Sequence, residues 1–174
     1  MKSLYADYDR MVNMKNTNLP KLAIVGRPNV GKSSLFNSIV GARKAIVESS
    51  SGTTRDRIYA DIKWKGKGFT LIDMAGFEET GQSDMSELVL KQLRKGIEEA
   101  DIILFITDGI AGIMPLDREL SSMLRKTSKK IYLVVNKIDR ECDAVSALDF
   151  FELGLGEPYA ISAMHGTGID RLCN

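Results

Sequence analysis

Short apolar stretches alternate with amphipathic, helix-like stretches along most of this chain. Leu22–Val25, Ile102–Ile106 and Ile131–Val135 are continuous apolar runs, which are typical of strands buried on both faces of a parallel sheet. Residues 58–65 instead alternate apolar and polar side chains, which predicts a half-exposed strand. The pattern as a whole predicts six strands, near residues 21–25, 58–65, 69–73, 102–106, 131–135 and 159–161.

Between these strands the apolar residues recur at helical spacing. Helices are predicted after residue 33 as far as Gly41, at 85–100, from Pro115 onward and near 144–151, with one helical turn at the end. The sequence KGKG separates the second and third strands and predicts an antiparallel hairpin there. Strands that alternate with helices predict a three-layer α/β domain, with a mainly parallel six-stranded sheet, one antiparallel edge strand and flanking helices.

The first strand runs into a glycine-bounded loop, and a helix follows. Residues 26–33 match G-x-x-x-x-G-K-S, whose backbone N–H groups surround phosphate oxygens at a helix N-terminus. Lys32 is expected to reach the β- and γ-phosphates, and the Ser33 hydroxyl to ligate Mg²⁺. This context predicts a P-loop NTPase fold. The loop residues expected to bind nucleotide are Gly26, Asn29, Val30, Gly31, Lys32, Ser33 and Ser34.

Two further segments have the composition of a site that senses the γ-phosphate. Residues 73–76 match D-x-x-G at a strand end, so Asp73 is expected to hold Mg²⁺ through water and the Gly76 N–H to contact the γ-phosphate. The polar segment SSSGTTRD offers Thr54, whose hydroxyl is expected to complete the Mg²⁺ coordination. The metal ligands predicted from the sequence are therefore Ser33, Thr54 and Asp73.

The base is indicated by residues 136–139, which match N-K-x-D after a buried strand. The Asp139 carboxylate can accept two N–H bonds from guanine, and adenine offers no such pair of donors. Asn136 is expected to bind the base and hold the phosphate loop, while the stem of Lys137 lies over the ring. Ser162 and Ala163 follow the last strand, where a backbone N–H is expected near guanine O6. An ATP-dependent, kinase-like enzyme is the remoter alternative, and N-K-x-D opposes it.

Net charge, cysteine spacing and the N-terminal sequence bear on the partners and the location that we expect for this protein. The 174 residues carry a formal net charge of +1, so there is no overall electrostatic case for binding nucleic acid or a membrane. Cys142 and Cys173 have no paired spacing, and the N-terminus lacks a secretory apolar core, so we expect a cytoplasmic monomer. Residues 1–19 are expected to form a flexible extension, and residues 20–174 a GTPase domain whose final helix is truncated.

The spacing of these motifs resembles that of a small GTPase, which implies a small-GTPase-like form of the P-loop NTPase fold. Several longer stretches resemble one family of GTPases. GRPNVGKSSLFN, RKAIVE, GTTRDRIY, IEEADIILFITDG, LVVNKID and FFELGLGEPYAISAMHGTGI are similar to the first GTPase domain of the bacterial Der family, also called EngA. Met74 and Ala75 depart from the DTGG that this domain usually carries. The resemblance implies a role in large ribosomal subunit assembly, with ribosomal RNA as a partner of the full-length protein. The second G domain and the KH-like domain of that family lie outside this sequence.

The resemblance also bears on hydrolysis. Phe77 stands where many signalling GTPases have a glutamine, which implies a hydrophobic-substituted GTPase. Asn29 resembles the asparagine that binds K⁺ in such enzymes; the alternative is that it only shapes the loop. The residues expected to support catalysis are Lys32, Thr54, Gly76 and Asn29. We therefore expect a GTP-hydrolysing switch, and the alternative is a nucleotide-dependent binding module for ribosomal RNA or the second G domain with negligible hydrolysis.

Overall fold

Alternating apolar residues in the central strand face two different layers of the structure. In β1 (Lys21–Val25), Leu22 and Ile24 belong to one buried cluster, while Ala23 and Val25 belong to another on the opposite face. The computed structural model describes residues 19–41, 45–46, 58–64, 67–74, 87–139 and 141–173. Within these residues the sheet is covered on both faces, as a three-layer α/β domain requires.

The sheet places β1 at its centre. The other strands are β2 (Ala45–Ile46), β3 (Ile58–Trp64), β4 (Lys67–Asp73), β5 (Ile102–Asp108), β6 (Lys130–Asn136) and β7 (Tyr159–Ala160). Across the described residues the seven strands have the order β2-β3-β4-β1-β5-β6-β7. β1 pairs in parallel with β4 and β5, β5 with β6, and β6 with β7, whereas β3 is antiparallel to both of its neighbours.

Helices cover each face with apolar side chains. On one face, helix α1 (Lys32–Gly41) contributes Leu35 and Ile39, and helix α4 (Ile169–Cys173) contributes Leu172. The other face is covered by α2 (Glu87–Glu99), α3 (Pro115–Leu124) and a 3₁₀ helix (Glu141–Leu153). No described helix has both the length and the apolar character needed to cross a membrane.

The predicted fold class is confirmed, with differences in detail. The six predicted strands are present, and a two-residue strand, β2, pairs outside β3, so the antiparallel strand is not the outermost one. The helix predicted near 144–151 is a 3₁₀ helix from Glu141 to Leu153, and β5 continues two residues beyond Ile106. The predicted extension lies outside the described residues, except Leu19.

Candidate nucleotide-binding site

The predicted phosphate loop joins β1 to α1 and closes around a lysine. A Cβ at Gly26 would lie 2.3 Å from the Ile106 carbonyl oxygen, so only glycine fits where the loop leaves the strand. Asn29 and Gly31 both have positive φ, at 63° and 96°. The Lys32 side chain is 1% exposed, and its Nζ donates to the Arg27 carbonyl at 2.9 Å. The loop therefore holds an ammonium group where phosphate is expected.

Asn136 connects the phosphate loop to two other strand ends. Its Nδ2 donates to the Val30 carbonyl at 2.8 Å, and its Oδ1 accepts from the Ala163 N–H at 2.9 Å. Both bonds are buried and span 106 and 27 residues of sequence. The predicted phosphate loop, N-K-x-D segment and Ser162–Ala163 segment therefore meet at one edge of the sheet.

Lys137 contacts the phosphate loop, whereas Asp139 faces solvent. Lys137 has a φ of 68°, and its Nζ donates to the Asn29 carbonyl at 2.9 Å. The Asp139 side chain is 50% exposed, and its Oδ1 accepts from the Ser162 hydroxyl at 2.7 Å. His165 lies beside it, with Nε2 at 4.0 Å from Oδ1. Asp139 thus presents a carboxylate to solvent, fixed in direction by a serine.

The predicted metal ligands are described only in part. Asp73 is buried at the end of β4, where it is the register partner of Ile24, close to the start of the phosphate loop. Ser33 is partly buried in the first turn of α1. A carboxylate and a hydroxyl are oxygen donors of the kind that Mg²⁺ prefers. The described residues contain no cluster of three or more His, Cys, Asp or Glu that could bind a metal without further ligands. Thr54, Ala75, Gly76 and Phe77 lie outside the described residues.

Three charged residues were not singled out from the sequence: Arg27, which lies within the phosphate loop, and two aspartates that face it, Asp108 and Asp117. Arg27 Nε donates to Asp117 Oδ2 at 3.3 Å, and its Nη2 is 4.0 Å from Asp108 Oδ2. Asp108 Oδ2 also accepts from Lys137 Nζ at 2.6 Å. A signal for Asp108 was present, because it is a polar residue at the carboxyl end of a strand next to β1. For Asp117 the only local signal is its place in the first turn of α3.

The two carboxylates have pKa values shifted in opposite directions. Burial acts to raise the pKa of Asp108, but the hydrogen bond from Lys137 and the N–H groups of Ala111 and Ile110 outweigh it and lower the pKa. The Asp117 side chain is fully buried, and this burial raises its pKa despite the Met114 N–H and Arg27. Asp108 therefore remains an anion under more acidic conditions than Asp117.

Comparison with known proteins supports the predicted resemblance to the Der family. The chain is 44% identical over 153 residues to GTPase Der of Desulforudis audaxviator, and the match covers 88% of this chain and 35% of that protein. It is 49% identical over 150 residues to GTPase Der of Clostridium tetani, covering 86% of this chain and 34% of the relative. The predicted resemblance is confirmed, and the chain spans about a third of the length of these relatives.

Solved structures of small GTPases share the fold. Aquifex aeolicus Era bound to GDP and AlF4⁻ matches with a TM-score of 0.67 and 32% identity, over 90% of this chain and 55% of that chain. The cytosolic domain of Thermotoga maritima FeoB in its GMPPNP form matches with a TM-score of 0.64 and 27% identity, over 88% and 61% of the two chains. The family model described as "50S ribosome-binding GTPase" matches residues 21–137, a region that includes the phosphate loop, Asp73 and the start of N-K-x-D. The chain therefore belongs to the 50S ribosome-binding GTPase family.

Proposed function

We propose that this chain binds GTP and hydrolyses it to GDP and phosphate, and that the change of nucleotide acts as a conformational switch. The observation that supports this most directly is the pair of buried hydrogen bonds made by Asn136, to Val30 and to Ala163. These bonds bring a loop suited to phosphates and two loops suited to a purine to the same edge of the sheet. A purine nucleotide has both a purine base and phosphates, so it could occupy these loops together.

Guanine is the base that these loops fit. The exposed Asp139 carboxylate is oriented by Ser162 and has lone pairs for the N1 and N2 donors of guanine. Adenine would leave this carboxylate unpaired, which is the type of mismatch that gives large discrimination. The Ala163 segment would supply the N–H beside O6, and the Lys137 stem would cover the ring.

The phosphates would lie in the loop from Gly26 to Ser34, with the Lys32 ammonium at the β- and γ-phosphates. Ser33, Thr54 and Asp73 would hold Mg²⁺, which when bound would draw negative charge from the β- and γ-phosphates. Gly76 would donate its N–H to the γ-phosphate. Water would then attack the γ-phosphate directly, with Lys32 and the loop amides stabilising the developing charge.

A monovalent cation at Asn29 is the second part of this mechanism. Phe77 has no group that can orient water, so additional positive charge at the phosphates would be needed. The positive φ of Asn29 places it at the turn of the phosphate loop, and its carbonyl accepts from Lys137. We propose that the Asn29 side chain helps to bind K⁺ beside the phosphates.

The relatives suggest where such a switch would act. They are named GTPase Der, and the matching family is described as ribosome-binding. We propose that residues 20–174 serve as one GTPase domain, monomeric and cytoplasmic, in assembly of the large ribosomal subunit. Contact with ribosomal RNA would involve the remaining length of the full protein.

Single-turnover phosphate release from GTP tests this proposal. We expect release with Mg²⁺ that is faster in KCl than in NaCl, because K⁺ would add charge at the phosphates. Lys32→Ala should weaken GTP binding about a hundredfold, since charge-assisted bonds to phosphate are worth roughly 1.5–3 kcal/mol each. Lys126→Ala, which changes an exposed lysine, is the control.

The outcomes separate the parts of the proposal. GTP binding without phosphate release would leave only a nucleotide-dependent binding module. Equal rates in KCl and NaCl would remove the role of Asn29 in binding K⁺. Displacement of GTP by ATP at equal concentration would contradict the selection of guanine by Asp139.

A further inference from the structure

Asp108 lies between two cations at the carboxyl end of β5. Its Oδ1 accepts from the Ile110 N–H at 2.9 Å and the Ala111 N–H at 3.1 Å. Its Oδ2 faces Lys137 Nζ at 2.6 Å and Arg27 Nη2 at 4.0 Å. Two backbone donors therefore fix the direction of this carboxylate, and the carboxylate in turn faces the ammonium and guanidinium groups.

The Lys137 ammonium group has two acceptors, Asp108 Oδ2 and the Asn29 carbonyl. The Lys137 side chain is 37% exposed, and its Nζ donates to the Asn29 carbonyl at 2.9 Å. A lysine stem has several rotatable bonds, so an ammonium group without a fixed partner would move among many rotamers. The Asp108 carboxylate restricts this movement and keeps Lys137 against the phosphate loop.

We propose that Asp108 is a positioning residue of the nucleotide site, which acts through Lys137 by holding its ammonium group against Asn29. This inference rests on the proposed nucleotide-binding function. Asp108 itself need not touch the nucleotide. It aligns the lysine stem that would cover the purine and, through the Asn29 carbonyl, fixes the turn of the loop that would surround the phosphates.

Arg27 connects Asp108 to helix α3. Its side chain is 15% exposed, and it donates through Nε to the fully buried Asp117. Among the described residues, Arg27 Nη2 and Asp117 Oδ1 are buried atoms without a hydrogen-bond partner. The guanidinium is therefore held by Asp117 and contacts Asp108 only as an ion pair at 4.0 Å. Lys137, at 2.6 Å, is the closer partner, so the effect of Asp108 should be transmitted mainly through it.

A double-mutant cycle on GDP affinity tests this. Asp108→Asn keeps an oxygen for the two backbone N–H groups and removes the charge that holds Lys137. We expect GDP to bind about tenfold more weakly, the usual loss for one hydrogen bond to a charged group. Lys137→Met removes the ammonium and keeps the stem. In that background, Asp108→Asn should change the affinity by less than about twofold, because the contact is already gone.

The controls distinguish positioning from a general loss of structure. Asp149→Asn changes an exposed aspartate on the 3₁₀ helix and should leave GDP affinity unaltered. Unfolding of each variant without nucleotide shows whether it folds, and Asp108→Ser, whose hydroxyl can accept from the same N–H groups, replaces Asp108→Asn if the latter does not. Unaltered affinity in Asp108→Asn, or an equal loss in both backgrounds, would overturn the inference alone. Failure of the unmodified chain to bind GDP would overturn it together with the proposed function.

Discussion

At the scale of single residues, Arg27 lies between two carboxylates that differ in environment. Asp117 is fully buried and accepts from Arg27 Nε, whereas Asp108 is held by Lys137 and two backbone amides. Burial with few donors favours the protonated form of Asp117, and several donors favour the ionised form of Asp108. The surroundings of Asp108 therefore stabilise its ionised form, and the surroundings of Asp117 destabilise its ionised form.

We predict that Asp117 makes a pH-dependent contribution to stability. Because its pKa is raised above 3.8, the folded state binds more protons than the unfolded state as the pH rises above that value. The contribution of Asp117 to the free energy of unfolding should therefore fall with rising pH, by about 1.4 kcal/mol for each tenfold difference between the acid dissociation constants of the folded and unfolded states. Urea unfolding of the parent and Asp117→Asn between about pH 4 and pH 7 measures the difference.

The comparison with Asp117→Asn cancels the contributions of titrating groups that do not interact with Asp117. Asp149→Asn, at an exposed position, is the control for the loss of a surface carboxylate. The quantity to follow is the free energy of unfolding of the parent minus that of Asp117→Asn. If this difference stays constant between about pH 4 and pH 7, or increases with pH, then burial does not raise the pKa of Asp117.

At the scale of elements, the site consists of loops that leave strand ends in left-handed backbone conformations. Gly31 and Gly156 have almost the same φ, at 96° and 95°, in different surroundings. A Cβ at Gly31 would lie 2.4 Å from Asn136 Nδ2, and a Cβ at Gly156 would meet nothing within 4 Å. The two glycines therefore share a backbone requirement, and only Gly31 also has a packing requirement.

We predict that Gly31→Ala weakens GDP binding and Gly156→Ala does not. Both alanines should lower the free energy of unfolding by roughly 1–3 kcal/mol, because positive φ is strained for a residue with a Cβ. Only the alanine at residue 31 should also displace the Asn136 amide from Val30. Denaturant unfolding and GDP titration of both variants measure the two effects. Equal GDP affinity for both variants would show that the contact of Asn136 with the loop is unimportant for binding.

Elements and their order were predictable because apolar periodicity reports burial directly. The alternation in residues 58–65 corresponds to β3, and the continuous run before Gly26 to β1. The 3₁₀ form of Glu141–Leu153 was not predictable, because α and 3₁₀ helices place apolar residues at similar spacing. The short β2 was also missed, since two residues carry no periodic signal.

The site was predictable where a motif specifies the backbone and the ligand together. Asn136 was expected to hold the phosphate loop, and its bond to Val30 has that geometry. The contact of Arg27 with Asp117 joins residues 90 positions apart through side chains alone, and no local pattern encodes such a pair. The charged network beside the phosphate loop therefore required the structure.

At the scale of the whole molecule, the parallel order of β4, β1, β5 and β6 brings the predicted ligand-binding segments to one edge. The helices on both faces pack against the strands, so the loops extend from the packed core of the domain. A ligand that bridges several of these loops would stabilise the entire domain, because each loop is continuous with a central strand or its helix.

We predict that GDP raises the midpoint of thermal unfolding and that ATP does not. At a GDP concentration one hundred times its dissociation constant, the stabilisation is about 2.7 kcal/mol. For a domain of this size that corresponds to a rise of roughly 5–10 °C. Scanning fluorimetry with GDP, a non-hydrolysable GTP analogue and ATP measures it, with Asp139→Asn as the variant that should lose the response to GDP. An equal rise with ATP would contradict the assignment of the base.

The bonds of Asn136 have a consequence for molecules smaller than a nucleotide. This amide links the two halves of the site through protein contacts alone, across 106 residues of sequence on one side and 27 on the other. A compound that occupies only the purine half should therefore raise the affinity of the phosphate loop for a separately bound pyrophosphate, and pyrophosphate should raise the affinity for that compound by the same factor. Fragment pairs, joined by no covalent bond, should bind this domain cooperatively, with Asn136 and the bond from Lys137 to Asn29 as the links between them.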